Sequence, residues 1–432
     1  MRLRTVNYLS VLLLTVCTAT VQASVIGTNV PSASLTRERI AALPKADQQP
    51  WIEYLERSQK QKLADKAALA AEMKSAGLQT PLTPPQGGHS AHSIPLHRED
   101  RWYSSDEAHH IADVIVSFQT PTGGWSKNLD MSHTLRRPGM AYGLDNLSPI
   151  ATKADFDQPE EPQWNYIATI DNDATTTQLV FLAKVIAHGG AKKEWAEAFR
   201  HGIDYLLAAQ YPNGGWPQVW PLQGGYHDDI TYNDDAMTQV VDLLYQLSIG
   251  QGDYSFADAA LRARSAAAFE KGIVCILATQ IVANNELTVW PQQDDALTLQ
   301  PASARNYELP VPCAAESARI LILLMNDLPH PTAQQQKAIR AAAAWLNKTA
   351  LYGYRWTRTP DGRQLVKQTG AGPIWPRYML SGSNQPVFGD RDKSIHDAVN
   401  EISEERRNGY AWFGDAPQEA LERFAQWSKE HK

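Results

Sequence analysis

Apolar residues recur every three or four positions along most of the chain from residue 100 onward. Between residues 174 and 188 they fall at Leu179, Leu182, Val185 and Ile186, and the run stops at Gly189-Gly190. Trp195, Phe199, Ile203, Leu206 and Leu207 keep the same helical period, as do Met237, Val240, Val241, Leu244 and Leu247. Residues 314–325 and 338–346 continue the series. Each run predicts an amphipathic helix. No segment alternates with period two for more than a few residues, so short strands are expected only in turns such as residues 352–357. The pattern predicts an all-α domain of paired helices, an α/α toroid, with the loops at one end gathered into a groove.

Ahead of this region the pattern changes twice. Residues 51–73 have a helical pattern within a charged, Ala-rich stretch. Pro81, Pro84, Pro85, Gly87 and Gly88 then mark a loop or linker. The first residues read differently. Arg2 and Arg4 precede a short apolar run, and Val21-Gln22-Ala23 offers a small-residue cleavage site before Ser24. The run is too short to span a bilayer comfortably. The expected organisation is a signal peptide at 1–23, a helical extension and linker at 24–100, and a catalytic domain at 101–432. The mature chain is expected to be secreted or periplasmic, soluble and monomeric.

The 432 residues hold 40 basic and 47 acidic side chains, a formal charge of −7. This mildly acidic balance, with no basic run, argues against nucleic acid as a partner. An anionic polymer would need a local basic site or a bridging cation. Of the three cysteines, Cys17 lies in the signal segment, leaving Cys275 and Cys313 as a disulfide or as two buried thiols. With no His/Cys cluster at ligand spacing, zinc is not expected.

The chemistry is concentrated in turns between the helices. Thr122-Gly123-Gly124-Trp125-Ser126-Lys127-Asn128 recurs as Asn213-Gly214-Gly215-Trp216-Pro217-Gln218, and Val289-Trp290-Pro291-Gln292 keeps the last part. Two acidic clusters follow Gly-Gly-Trp turns: Ile170-Asp171-Asn172-Asp173-Ala174-Thr175 and Asn233-Asp234-Asp235-Ala236-Met237. Such residues either cap the helices they precede or supply oxygens to a hard cation such as Ca2+. Their spacing is not that of an EF-hand. Arg305, in Arg305-Asn306-Tyr307-Glu308-Leu309-Pro310, pairs with Glu308 or serves an anionic ligand. Lys127, Arg377 and Arg391 sit in turns from which each could grip a carboxylate. Trp125, Trp216 and Trp220 either stack on sugar rings or pack in the core. His227 is the one histidine close to an acidic run that could act as a base.

Six motifs in order resemble the family 10 pectate lyases over roughly residues 105–427. They are Gly-Gly-Trp-Ser-Lys-Asn, Ile-Asp-Asn-Asp-Ala-Thr-Thr-Thr, Tyr-Pro-Asn-Gly-Gly-Trp-Pro-Gln, Ile-Thr-Tyr-Asn-Asp-Asp-Ala-Met, Arg305-Asn306-Tyr307-Glu308-Leu309-Pro310 and Glu404-Glu405-Arg406-Arg407-Asn408-Gly409-Tyr410-Ala411-Trp412. The resemblance implies an (α/α)3 toroid and calcium-dependent anti-β-elimination of polygalacturonate. By the same resemblance Arg305 is the base at C5, Asp171 and Asp234 bind the metal with Asp235 beside them, and Arg377 and Arg391 bind substrate carboxylates with Lys127. Two positions depart from the family pattern. Lys393 stands where the family usually has glycine, and Ser126 where it often has proline. Two other readings remain open on the residues: an inverting glycoside hydrolase using a carboxylate pair, and a non-catalytic galacturonan-binding protein.

Overall fold

A computed structural model of the chain describes residues 24–87, 93–144, 155–156, 163–190 and 192–431. The expected signal segment, with Cys17, lies outside these residues. The helices are α1 (Arg37–Ala41), α2 (Lys45–Ser75), α3 (Asp106–Ser117), α4 (Thr176–Gly189), α5 (Lys193–Ala209), α6 (Ala236–Ile249), α7 (Ala259–Ala278), α8 (Ala314–Asp327), α9 (Ala333–Lys348), α10 (Glu404–Gly409) and α11 (Ala416–Glu430).

Helices α4, α6 and α8 pack side by side, and each also packs against the helix that follows it, α5, α7 or α9. Helix α3 covers α4 and α5 at one side, and α11 covers α8 and α9 at the other. The burial follows from composition. Helix α4 buries Thr176 to Leu179 and Phe181 to Ala183 almost without a break, so it is covered on nearly every face. Helix α5 buries only a stripe that includes Trp195, Phe199, Ile203 and Leu206. Of the outer helices, α7 and α9 start on side-chain caps. Asp258 accepts from the Leu261 amide at 2.8 Å, and Thr332 and Gln335 form a capping box. The inner helices α4, α6 and α8 have no side-chain cap bond.

Short antiparallel pairs join successive turns at the end where the inner helices begin. Thr169 lies opposite Val219, Thr231 opposite Gln293, and Pro376 opposite Phe413. The longest strands form the hairpin Tyr354–Thr359 with Gly362–Lys367, close to the region where strands were expected. The N-terminal segment is tied to the toroid. Strand Val25–Thr28 pairs with Ser394–His396. The Tyr54 hydroxyl donates to the Ala209 carbonyl at 2.8 Å, and the Trp51 and Tyr54 rings lie 5.0 and 4.8 Å from Tyr211.

The Gly-Gly-Trp turns repeat in three dimensions. A Cβ on Gly123 would meet the His201 carbonyl oxygen at 2.4 Å, and one on Gly214 would meet that of Lys271 at 2.1 Å. Both glycines have positive φ, so the turn excludes other residues by conformation and by space. Gly214→Ala should therefore cost roughly 3 kcal/mol. Gly252→Ala, at an open position also of positive φ, should cost about 1 kcal/mol. Denaturant unfolding of the two variants checks the difference; equal losses would contradict the close approach.

Candidate active-site cleft

Four of the turns around the site share one device. Trp125, Trp216, Trp290 and Trp375 each donate the indole N–H to a carbonyl in the last turn of the preceding α3, α5, α7 or α9. The acceptors are Ile115 at 2.7 Å, Leu206 at 2.8 Å, Ile276 at 2.6 Å and Leu346 at 2.7 Å. They lie in the last turn, where carbonyls lose their i+4 amide partners; that of Ile115 also accepts from the Phe118 amide at 3.1 Å. Two residues beyond each tryptophan stand Lys127, Gln218, Gln292 and Arg377. The first three line a polar cleft of about 340 Å³ with Asp171, Asp234, Arg305 and Tyr410, and Arg377 reaches Asn233 in its wall at 3.4 Å. The fourth turn, with Trp375 and Arg377, was not aligned with the other three from sequence; the spacing Trp-x-(Lys/Gln/Arg) is the signal that finds it. The tryptophans are core residues. Trp125 and Trp216 are fully buried and Trp220 is 3% exposed, so none is free to stack on a sugar.

The acidic turns do not cap their helices. Asn172, Asp173 and Thr175, like Asp234 and Asp235, have positive φ, a costly backbone for a β-branched residue such as Thr175. This winding carries Asp171 and Asp234 into the same cleft. Lys127 Nζ lies 2.5 Å from Asp171 Oδ2, and Asn233 Nδ2 lies 2.9 Å from Asp234 Oδ2 and 3.5 Å from Asp171 Oδ1. Burial opposes ionisation of Asp171, but Lys127 outweighs it and holds the carboxyl below its ordinary value. Asp234 is pushed up to about 6 by burial and by the charge of Asp171. Asp235, raised to about 7 by burial, turns the other way: its carboxylate lies 3.3 Å from Arg319 on α8, in a separate pocket. Asp173 accepts from Gln239.

The donor set suits a hard cation. Asp171 and Asp234 supply carboxylate oxygens, and Gln218, also in the lining, has a buried Oε1 with no hydrogen-bond partner among the described residues. No group of three or more His, Cys, Asp or Glu residues converges as a metal site among the described residues. A Ca2+ ion here would take most of its six to eight oxygens from water and ligand.

Arg305 stands across the cleft on a tight turn. It grips buried Glu308 bidentately, at 2.9 Å from Nε and 2.6 Å from Nη2, and Glu308 also accepts from the Arg305 amide at 2.9 Å and from the Tyr410 hydroxyl at 2.9 Å. Burial would favour loss of the Arg305 proton, but Glu308 reverses the balance and holds the guanidinium firmly charged. Burial likewise opposes ionisation of Glu308, and Arg305 overcomes it, to about 2. Arg377, its side chain 10% exposed, is paired with Glu316. Arg391 lies outside the cleft lining, paired with Glu405 at 3.0 Å and 5.5 Å from the Tyr307 ring centre. His227 is buried against Tyr226, and burial lowers it to about 3, so it is neutral. Cys275 and Cys313 are both buried free thiols. The sequence reading missed Glu308, Tyr410, Gln218, Gln292 and Asn233 as cleft residues.

The profile of the pectic acid lyase family matches residues 119–421. The chain belongs to that family. Two solved structures of the family 10 polysaccharide lyase from Cellvibrio cellulosa are similar at 31% identity and a TM-score of 0.64, over 98% of that chain. One is an aspartate-to-alanine mutant in complex with trigalacturonic acid, covering 78% of the present chain; the other covers 79%. The (α/α)3 toroid is thus the fold of this pectic acid lyase family member, which stands among the polysaccharide lyases. A separate match, to the isoleucine–tRNA ligase of Onion yellows phytoplasma (strain OY-M), is 24% identical over 162 residues and spans 36% of this chain and 18% of that protein. It carries no part of the argument.

The Arg305–Glu308 pair has a pH signature. A carboxyl lowered from 4.5 to about 2 contributes stability that is present above 4.5 and lost as pH falls through 2. Glu308→Gln should therefore lower stability at neutral pH by on the order of 3 kcal/mol. The gap to wild type should close as the solution is acidified, as followed by denaturant unfolding across pH.

Proposed function

We propose that this chain is a secreted or periplasmic pectate lyase that cleaves α-1,4-linked polygalacturonate by β-elimination, with Ca2+ as cofactor and Arg305 as the base. The observation that carries the reading is the cleft itself. Four separate turns bring two carboxylates, a lysine and an arginine to one polar groove in a pectic acid lyase.

Elimination removes the proton at C5 of a uronate and expels the oxygen at C4. Charge develops toward the C6 carboxylate, and a cation there stabilises it. Asp171, Asp234 and the Gln218 carbonyl oxygen would hold that cation against the substrate carboxylate. Lys127, paired with Asp171 in the cleft, would turn its ammonium to the substrate carboxylate once a cation takes up the Asp171 charge. Arg377 and Arg391 would position neighbouring uronates. Among the described residues no helix is long and apolar enough to cross a membrane.

Arg305 can take the C5 proton only after giving up its own, and Glu308 opposes that loss. The reaction should therefore quicken as the solution becomes alkaline. The same ion pair favours a second reading, in which Arg305 stays charged and clamps a substrate carboxylate. Arg305→Lys separates the two. A base role moves the alkaline limb of the pH–rate profile to lower pH, because an ammonium loses its proton more readily. A clamp role raises KM and leaves the profile in place.

The wild-type protein should release 4,5-unsaturated oligogalacturonates, seen by ultraviolet absorbance, and chelation should abolish this. Arg305→Ala should lower kcat by about 10³-fold or more. New reducing ends without unsaturated product would establish a hydrolase instead, and binding with no cleavage a carbohydrate-binding protein.

Asp234 must be ionised to hold a cation, and its carboxyl titrates at about 6. Calcium affinity should rise as pH rises through that value and level off above it. Calorimetric titration on either side of it measures this, and a flat affinity would remove Asp234 from the metal site.

A further inference from the structure

The turn that carries Arg305 is fastened from the far end of the chain. Residues 24–31 lie well before the span matched by the family profile. Strand Val25–Thr28 adds to the edge of Ser394–His396 and delivers Asn29, which is 4% exposed, to the back of the Arg305 turn. There Asn29 Nδ2 donates to the carbonyls of Asn306 at 3.0 Å and Glu308 at 3.1 Å, with the Arg305 carbonyl at 3.5 Å. Asn29 Oδ1 accepts from Ser303 Oγ at 2.8 Å and from the Val30 amide at 3.1 Å. The donors and acceptors around the amide fix which end is nitrogen. The Asn29 amide itself donates to the Lys393 carbonyl at 2.8 Å.

The turn is thus held from both sides. Its front is set by Glu308, which accepts from the Arg305 amide and guanidinium. Its back presents buried carbonyls that need donors, and one side-chain amide serves two of them. Lys393 links this clamp to the Arg391 loop. It adopts φ 75°, the conformation that the glycine usual in the family would take without strain, and its carbonyl meets Asn29.

We infer that Asn29 is a positioning residue for Arg305: the N-terminal strand completes the active site by fixing the carbonyls of the Arg305–Glu308 turn. The inference rests on the reading of Arg305 as the group at the reacting carbon. Displacing a reacting group by about an ångström costs on the order of 10²-fold in rate. Loss of the clamp should therefore fall on kcat rather than on KM.

The test uses the full mature chain with polygalacturonate and calcium, and compares Asn29→Ala, Asn29→Asp and Ser303→Ala with wild type. Two quantities are read: kcat and KM, and hydrogen–deuterium exchange of the peptide holding residues 303–309. Asn29→Ala should lower kcat by about 10²-fold with KM within about twofold, and speed exchange in that peptide. Asn29→Asp has the same shape but no N–H and sets an anion against two carbonyls, so it should do no better than alanine. Ser303→Ala, which removes one of the two donors to Asn29 Oδ1, should fall between and keeps the test open if the Asn29 variants fold poorly. Wild-type kcat and exchange in Asn29→Ala, or full activity in Asn29→Asp, would overturn the inference. So would a kcat loss accompanied by exchange that quickens everywhere alike. If wild type itself forms no unsaturated product, the lyase reading fails instead, and exchange at the turn still decides whether Asn29 holds it.

Discussion

A buried indole N–H needs an acceptor, and a helix end has carbonyls to spare. This complementarity is what the site depends on. Each of four tryptophans caps the last turn of one helix and, in doing so, fixes where the chain leaves it. Two residues on, a polar side chain is aimed into or against the same cleft. The helices supply a frame; the four indole bonds convert it into a binding groove with Lys127, Gln218, Gln292 and Arg377 around it. Gln119, Gln210 and Gln280 reinforce three of these turns, each bonding one carbonyl in the turn and one in the next outer helix.

Charge in the cleft is arranged so that most of it is already neutralised. Lys127 answers Asp171, Glu308 answers Arg305, and Glu316 answers Arg377. Paired buried charges keep the desolvation penalty bounded. Asp234 is the exception, because the charge beside it is Asp171 and its carboxyl is raised to about 6. A groove with balanced pairs and one strained carboxyl, next to an unpartnered amide oxygen, favours an incoming cation more than an incoming anion alone.

The residues ahead of the toroid belong to the same physical unit as its core. Trp51 and Tyr54 of α2 pack on Tyr211, and the N-terminal strand reaches Asn306 and Glu308 through Asn29. The proline- and glycine-rich stretch after α2 reads as a loop or linker in sequence, and its Leu82 amide donates to the Gly139 carbonyl at 2.9 Å.

By itself the sequence determined the helices and their pairing, because a helical period of apolar residues over a dozen positions has few other ways to bury itself. Its six motifs also mark the turns whose Asp171, Asp234, Lys127 and Arg305 line one cleft. Tertiary structure decided what each residue faces. Adjacent Asp234 and Asp235 point to different pockets because two successive left-handed residues swing them apart, a backbone state that no periodicity encodes. Whether a tryptophan stacks on a ligand or fills the core depends on which surface it meets, and here all three candidates are covered. Asn29 became legible only when residues far apart in the chain were brought within hydrogen-bond distance. Contacts of that range are set by how the whole chain packs, and local sequence carries no record of them.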